Sequence, residues 1–338
     1  MSLALGWATQ ADMPALRSFL MSVYGQGAVQ TAPGRWDWLG GGHPRGMHVA
    51  LARASGTIVG SCCHIPMRIT VGTREISAAY GLDLIVDPSR RGQGVGKALL
   101  ALRLDRFRVS LSTGQSPAMA GLYARAGGRD CGPVVRALRV RRPTVAAAPR
   151  ALARDFVAWG LGVARGGRGG TRQALSVAEA GRRPQVLGTR LRPDEAGPCR
   201  DAAGFAWRYG GSVYADHTCW EVTADLRPGL VVTRQEGDSE IIVDVFAVPD
   251  DLPAVLRATA CTSTASRLIA DLHGSRLAAA FRAAGWFVRP RDARFVVLAK
   301  DPELLTELAR RPWAFFAGES DLDLLRYPAP PGGGRREL

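Results

Sequence analysis

The sequence predicts a mixed α/β fold made of two copies of one unit. Three observations support this: a buried strand that leads through a glycine-rich loop into a helix, a second stretch with the same landmarks, and a length of 338 residues, enough for two domains. Hydrophobic residues make up 46% of the chain, which excludes a mainly disordered protein. The chain has no run of 18 apolar residues and no signal-like start, so we expect a cytoplasmic protein without membrane spans.

The most informative stretch covers residues 79–101. Residues 80–86 are largely apolar on both faces of an extended chain, which is typical of a central buried strand. Asp87-Pro88-Ser89 ends that strand, because proline cannot continue a sheet ladder and aspartate and serine favour turns. A glycine-rich loop follows, and apolar residues at helical spacing from Val95 onward predict a helix.

A strand, a glycine loop and a helix together form the arrangement in which backbone N–H groups bind phosphate oxygens. A dinucleotide fingerprint would require glycine at Lys97, and a Walker loop would require glycine at Arg91 and serine or threonine at Ala98. Both motifs are therefore excluded. The loop instead fits the pattern [Q/R]-x-x-G-x-[G/A], with Arg91-Gly92-Gln93-Gly94-Val95-Gly96.

A second segment follows at a fixed distance from this loop. Residues 109–112 predict a short strand, and Ser116 followed by Pro117 predicts the start of a helix. Apolar residues at helical spacing continue that helix, and Gly127 supplies the left-handed position that ends it.

With these two segments, residues 40–142 resemble the GNAT superfamily of acyl-CoA-dependent N-acyltransferases. Leu122-Tyr123-Ala124-Arg125-Ala126-Gly127-Gly128 is similar to the family's L-Y-x-x-x-G-F segment, with Gly128 in place of the aromatic residue. In the family, the glycine loop binds the pyrophosphate of coenzyme A with its backbone amides. The resemblance implies an α+β mixed-sheet GNAT fold, acetyl-CoA or another acyl-CoA as co-substrate, and no metal.

The resemblance also implies which residues bind the coenzyme. Backbone amides of the strand would pair with the pantetheine arm and polarise the thioester carbonyl, and the loop would hold the pyrophosphate. The set comprises Leu84, Ile85, Val86, Arg91, Gly92, Gln93, Gly94, Val95, Gly96, Lys97 and Ser116. A plain helix-capping role explains Ser116 equally well.

Acyl transfer from a thioester to an amine requires a polarised carbonyl, an unprotonated amine and a proton for the departing thiolate. The resemblance implies that Tyr123 donates the proton to the thiolate. The alternative is that Tyr123 is a structural residue whose hydroxyl is hydrogen-bonded to the backbone. Asp83 is the candidate general base, because a carboxylate in an apolar strand is a typical functional residue. A structural pairing of Asp83 with an arginine is favoured, since Asp244 occupies the matching place in the second half. His64 and a water chain are the remaining candidates for the base.

Three landmarks recur in the same order, which predicts duplication of one unit. Residues 35–39 are echoed by residues 205–209, residues 83–88 by 244–249, and residues 122–128 by 280–286. The copies differ where the chemistry would occur: Asp250 and Asp251 replace the glycine loop, and Phe281 replaces Tyr123. We therefore predict tandem GNAT-like domains with coenzyme binding only in the first.

These features predict the domain boundaries. The catalytic domain covers residues 1–143, a helical and glycine-rich linker residues 144–170, and a degenerate GNAT-like domain residues 171–328. A disordered tail occupies residues 329–338. Within the linker, residues 145–165 are alanine-rich and predict a helix.

We expect an N-acyltransferase that moves an acetyl group to the primary amine of a small molecule in a ternary complex. A non-catalytic acyl-CoA sensor and an acetyltransferase acting on protein or RNA are the alternatives. The net charge of +14 would favour a polyanionic partner, but dispersed arginines without interleaved aromatic residues argue against nucleic acid. The sequence leaves a homodimer open. Trp36 and Trp38 would line an acceptor pocket or, as we favour, anchor the core.

Overall fold

The computed structural model describes residues 3–25, 28–31, 34–36, 38–39, 42–46, 48–142, 149–164, 169–183, 191–199, 201–211 and 216–319. The predicted tail, residues 329–338, lies outside these ranges, as do parts of the predicted linker. The described chain forms helices packed against one large mixed sheet.

The first half supplies six strands and three helices. The strands are β1 (Leu3–Trp7), β2 (His48–Ala54), β3 (Thr57–Val71), β4 (Arg74–Val86), β5 (Val109–Thr113) and β6 (Arg129–Val140). The helices are α1 (Met13–Tyr24), α2 (Val95–Arg106) and α3 (Pro117–Arg125). Strands β1 to β4 are antiparallel, and β5 pairs with β4 in parallel, as expected for a strand–helix–strand crossover.

The second half repeats this pattern after a linking helix. Its helices are α4 (Pro149–Ala164), α5 (Val177–Gly181), α6 (Ala202–Gly210), α7 (Leu252–Thr262), α8 (Ser275–Ala283) and α9 (Pro302–Arg310). Its strands are β7 (Thr171–Leu175), β8 (Ala196–Cys199), β9 (His217–Ala224), β10 (Arg227–Glu236), β11 (Ser239–Ala247), β12 (Arg267–His273), β13 (Phe287–Ala299) and β14 (Phe315–Phe316). Strands β9, β10 and β11 are antiparallel, and β12 pairs with β11 in parallel. This matches the order of β2 to β5 and confirms the predicted tandem GNAT-like fold.

The two halves exchange one strand each at the centre of the sheet. The sheet order is β1-β2-β3-β4-β5-β13-β6-β12-β11-β10-β9-β7, with β8 paired to β3 and β14 to β12. Strand β13, from the second half, pairs with β5 of the first, and β6, from the first half, pairs with β12 of the second. The central hydrogen bonds therefore hold the halves together.

Local chemistry explains where the elements around the loop begin and end. Helix α2 begins at Val95, as predicted, and Ser116 caps α3 by accepting the Met119 N–H at 3.4 Å. Gly127 ends that helix with a φ of 84°, and Gly285 takes the same left-handed conformation after α8. The predicted strand over residues 80–86 is the last part of β4.

The predicted linker helix is present as α4. Ala158 and Asp155 on one of its faces are fully buried, and Asp155 accepts hydrogen bonds from the guanidinium groups of Arg154 and Arg267. Arg139 donates to the carbonyl of Gly162 at 2.6 Å. The helix is thus attached to β6 and β12, the strands at the junction of the halves.

The two paired tryptophans lie in the core, as favoured from the sequence. The ring of Trp38 stacks on that of Trp207, with centroids 4.8 Å apart, and each indole N–H donates to the other residue's carbonyl. Trp36 is 4% exposed, and its N–H donates to the carbonyl of Gln30. The Trp38–Trp207 pair joins one half to the other.

Candidate functional site

A cavity of about 790 Å³ opens between the end of β4 and helices α2 and α3. It exists because the two parallel strands separate: the β4–β5 register ends with Tyr80 opposite Leu111. Beyond that pair, β4 runs on to Val86 beside β3 alone. A peptide-like ligand can therefore pair with this free edge of β4.

The cavity gathers nearly the whole predicted coenzyme set. Its lining includes Leu84, Ile85, Val86, Arg91, Gly92, Gly94, Val95, Gly96, Lys97 and Ser116. Gln93 is the exception. Its side-chain amide donates a hydrogen bond to the carbonyl of Ser89 at 3.2 Å, which stabilises the loop. Residues from the end of one strand, from the glycine loop and from two helices are thus brought to one surface.

The loop exposes backbone N–H groups to the cavity. Gly92 and Gly94 have φ angles of 78° and 81°, a left-handed conformation that disfavours other residues. Gly94 is the N-cap of α2 and has no capping side chain. The first hydrogen bond of the helix runs from Ala98 N–H to the Gly94 carbonyl, so the preceding amides remain available to an anion.

A third glycine allows α2 and α3 to approach each other. A Cβ atom on Gly96 would lie 3.3 Å from Cδ2 of Leu122 and 3.6 Å from Cδ2 of Leu84. A larger side chain would push α3 outward and fill the cavity where a ligand would lie. From the sequence, Gly96 was expected only as a residue of the loop, and its packing role was not predicted.

The charge of the cavity suits a polyanion. Among the described residues, four cationic side chains line it, from Arg90, Arg91, Lys97 and Arg125, and no carboxylate does. Arg90 and Arg125 were not among the predicted binding residues, although Arg90 directly precedes the loop motif and Arg125 lies in the second motif.

The second half has a corresponding cavity of about 600 Å³ with the opposite electrostatic character. Pro249 and Asp250 stand where the glycine loop would be, and the lining holds the carboxylates of Asp194, Glu195 and Asp250 against two arginines. These form ion pairs: Arg276 donates to Glu195 at 2.5 Å, and Arg192 pairs with Asp250. The segment before β8 thus lines the second cavity with paired charges.

Tyr123 lies where β4 and β5 separate. The residue is 1% exposed, and its hydroxyl accepts a hydrogen bond from Arg103 of α2. A Cβ atom built on Gly81, directly after the last paired residue of β4, would lie 3.3 Å from this hydroxyl. The phenol is thus beside β4 at Gly81, three residues before the part of the strand that lines the cavity. The backbone-bonded alternative for Tyr123 is not what the described contacts show.

Asp83 occupies a bulge in β4, and both of its carboxylate oxygens bind other side chains. Its φ is 44°, and the β3–β4 register shifts there because β4 has one extra residue. One carboxylate oxygen pairs with the buried guanidinium of Arg35, and the other accepts from the Gln30 side chain at 3.2 Å. This is the arginine pairing that the structural alternative for Asp83 predicted.

His64 is held in a structural position. It is 2% exposed, its Nδ1 donates to the carbonyl of His48 at 3.0 Å, and Nε2 lies 3.4 Å from Sγ of Cys62. Burial, followed by the charge of Arg103, holds the pKa of His64 well below its ordinary value. The ring is therefore neutral and occupied on both nitrogens.

The described residues contain neither a candidate metal site nor a membrane-spanning helix. No group of three or more histidine, cysteine, aspartate or glutamate side chains in this part of the chain is placed to hold a metal ion. None of the helices within the described ranges is both long and apolar enough to span a membrane.

Comparison with known proteins agrees with this geometry. The profile of the acetyltransferase (GNAT) domain family matches residues 45–127, which include the glycine loop and Tyr123. A search of curated protein sequences returned no match.

Three solved structures share the fold over most of the chain. A conserved protein of Enterococcus faecalis, described as a probable N-acyltransferase, has a TM-score of 0.61 at 11% identity, over 90% of this chain and 74% of its own. A GCN5-related N-acetyltransferase of Kribbella flavida gives 0.60 at 16% identity, over 88% and 72%. The N-myristoyltransferase of Saccharomyces cerevisiae with bound myristoyl-CoA gives 0.51 at 10% identity, over 88% and 82%. Residues 45–127 are therefore similar to the acetyltransferase (GNAT) domain family, and the chain shares its overall fold with GCN5-related N-acetyltransferases.

Proposed function

We propose that the protein transfers an acyl group, most simply acetyl, from acyl-CoA to the primary amine of a small molecule. The observation that carries this proposal is the cavity beside β4: open backbone amides at the start of α2, four cations and no carboxylate among the described residues of its lining, and a free strand edge next to a buried phenol. The family match and the myristoyl-CoA bound in the yeast neighbour support acyl-CoA as the donor.

In this proposal the chain's own groups position the donor. The N–H groups at the start of α2 and the cations of the loop bind the pyrophosphate, because anions are stabilised at a helix N-terminus. The edge of β4 from Leu84 to Val86 pairs with the pantetheine amides. Such pairing brings the thioester to the separation of β4 and β5, where a backbone N–H polarises its carbonyl.

The chemical step is direct transfer in a ternary complex. The amine nitrogen attacks the thioester carbon, the C–N bond forms, and the C–S bond breaks with its electron pair left on sulfur. Tyr123 donates its phenolic proton to that sulfur, and the proton released from the amine restores the phenol through water. Arg35 and Gln30 bind the two carboxylate oxygens of Asp83, so we assign to Asp83 the role of stabilising the β4 bulge. Asp83 is then not the general base, and we propose that the amine binds in its unprotonated form.

The electrostatics of the second half favour one coenzyme per chain. Its cavity combines three carboxylates with two arginines that are already paired to them. A diphosphate would meet like charge there without open amides of a glycine loop. We therefore propose that this half supports the first and contributes no second donor site.

Release of free thiol from acetyl-CoA, measured across a panel of primary amines, tests the proposal. We expect amine-dependent release by the wild-type chain and none by Gly94→Glu. Calorimetry should give one coenzyme bound per chain. Coenzyme binding without thiol release on any amine would favour an acyl-CoA sensor, and steeply salt-dependent RNA binding would favour a nucleic-acid acceptor.

A further inference from the structure

Arg103 is a buried cation without a carboxylate partner in the described part of the chain. It is 1% exposed, lies on the inner face of α2, and takes part in none of the ion pairs found among those residues. Its Nε has no hydrogen-bond partner there either. Burying an unpaired charge carries a large free-energy penalty, so a fold selected for stability alone would place an apolar residue here.

The contacts of the guanidinium are with neutral groups. Its Nη2 donates to the phenolic oxygen of Tyr123, and its carbon lies 5.3 Å from the centre of that ring. The Cys62 thiol also lies against it, and burial raises the pKa of that thiol to about 11. At neutral pH the Cys62 thiol therefore offers no negative charge to balance Arg103.

Gly81 makes room for this arrangement. A Cβ atom there would lie 1.8 Å from Nη1 of Arg103, so any other residue would displace the guanidinium. Backbone, cation and phenol therefore fit together as one unit at the place where β4 and β5 separate.

The second half acts as an internal comparison, because it lost all three members of this unit. Gly81 lies seven residues before Pro88, and Ile242 lies seven residues before Pro249, so these two positions correspond. Arg103 and Thr259 correspond in the same way, because each lies four residues before the C-cap of the helix that follows the strand. Phe281 stands in place of Tyr123. The unit is kept only in the half whose cavity is open and cationic.

We propose that Arg103 is a positioning residue for Tyr123, which orients the phenol and stabilises the phenolate that forms when its proton passes to the leaving thiolate. Because Nη2 already donates to the phenolic oxygen, the O–H proton of Tyr123 is directed away from Arg103. The O–H bond of Tyr123 breaks as the S–H bond of coenzyme A forms. The guanidinium is thereby paired with a negative charge only after proton transfer, which favours that step. This inference rests on the proposed acyl transfer.

The first test is Arg103→Met, which keeps the length of the side chain and removes its charge. We expect kcat to fall on the order of 10²-fold, as for loss of a preorganised donor, with little change in KM for acetyl-CoA. We expect the unfolding temperature to stay equal or rise, since an unpaired buried charge is removed. Arg106→Met, one turn along α2 on the exposed side, is the matched control and should retain full activity. Arg103→Lys should recover part of the lost rate.

The second test asks whether Arg103 acts through Tyr123. In the Tyr123→Phe background, Arg103→Met should lower kcat by no more than about two-fold, because the group it serves is gone. Replacing Tyr123 by a fluorinated, more acidic tyrosine should restore part of the rate of Arg103→Met. A purely structural role of Arg103 would predict no such restoration.

Three outcomes would overturn the inference. They are a wild-type kcat in Arg103→Met, losses that multiply fully in the double variant, or a joint fall of kcat, coenzyme affinity and unfolding temperature that fluorotyrosine does not repair. In each case amine-dependent thiol release by the wild-type chain shows that the proposed function still holds. A wild-type chain that binds acetyl-CoA and releases no thiol overturns both.

Discussion

At the residue scale, the proposed chemistry depends on Tyr123 and on Gly81, which leaves room for Arg103 beside the phenol. The motif around Tyr123 indicated a role in proton donation, which stays a prediction, and the burial of Tyr123 and its bond to Arg103 were visible only in the folded chain. A sequence signal for Arg103 did exist. It lies four residues after Leu99 on the apolar side of the predicted helix, where a charge is out of place.

Tyr123→Phe should lower kcat on the order of 10²-fold, because the phenol supplies the proton for the departing thiolate. Coenzyme affinity should change little, since the hydroxyl faces Arg103 and the loop amides are untouched. Steady-state kinetics with acetyl-CoA and calorimetric binding measure the two quantities. A wild-type kcat in this variant would leave Tyr123 a scaffold residue.

Gly81→Ala should also lower kcat, because its Cβ would displace the Arg103 guanidinium from the phenol. The added methyl group is remote from the glycine loop, so coenzyme affinity should stay within a few-fold of wild type. Kinetics and binding of the same preparation provide the measurement. Ala79→Gly, on the same strand, is a control for altered strand flexibility. Equal kcat values for Gly81→Ala and the wild type would show that a Cβ atom at position 81 does not displace the Arg103 guanidinium from the phenol.

At the scale of elements, the sequence predicted the loop and the helix starts because these depend on local chemistry. Glycine at positive φ and the capping serine act on their nearest neighbours in the chain. The bulge at Asp83 and the long β3–β4 hairpin were not predicted. The bulge depends on pairing between distant residues, Ser61 with Ile85 and Cys63 with Leu82, where local propensity has little weight.

Gly94→Glu should abolish coenzyme binding. The substitution places a carboxylate and a Cβ at a left-handed N-cap, where the ligand's phosphates would meet the open amides of α2. Calorimetric titration with coenzyme A measures the effect. Gly237→Glu is the matched control: this glycine also has positive φ, 59°, and nothing within 4 Å of a built Cβ, but lies in the β10–β11 turn. Unchanged affinity in Gly94→Glu would remove the loop assignment.

At the scale of the whole molecule, the exchanged strands make the two halves depend on each other. The predicted boundary at residue 143 separates the halves along the chain, but β5 has β13 as its neighbour in space. The Trp38–Trp207 pair adds a second junction between the halves.

A chain that ends at residue 143 should therefore fail to fold cooperatively. Without the second half, β5 loses its partner β13, and β6 loses both of its neighbours. Circular dichroism and thermal unfolding of the truncated chain check this, with co-expression of residues 144–338 as the control that should restore the fold. A sharp unfolding transition of the truncated chain alone would contradict the expectation.

Local sequence alone determined the glycine loop, the capped helices and the absence of that loop from the second half, because each is encoded by residues close together in the chain. Tertiary structure alone decided the exchange of β6 and β13, the pairing of Asp83 with Arg35 and the burial of Arg103 against Tyr123. These contacts join residues from separate elements. Such contacts form when two elements bury their surfaces against each other. The local sequence pattern does not specify which elements pair in this way.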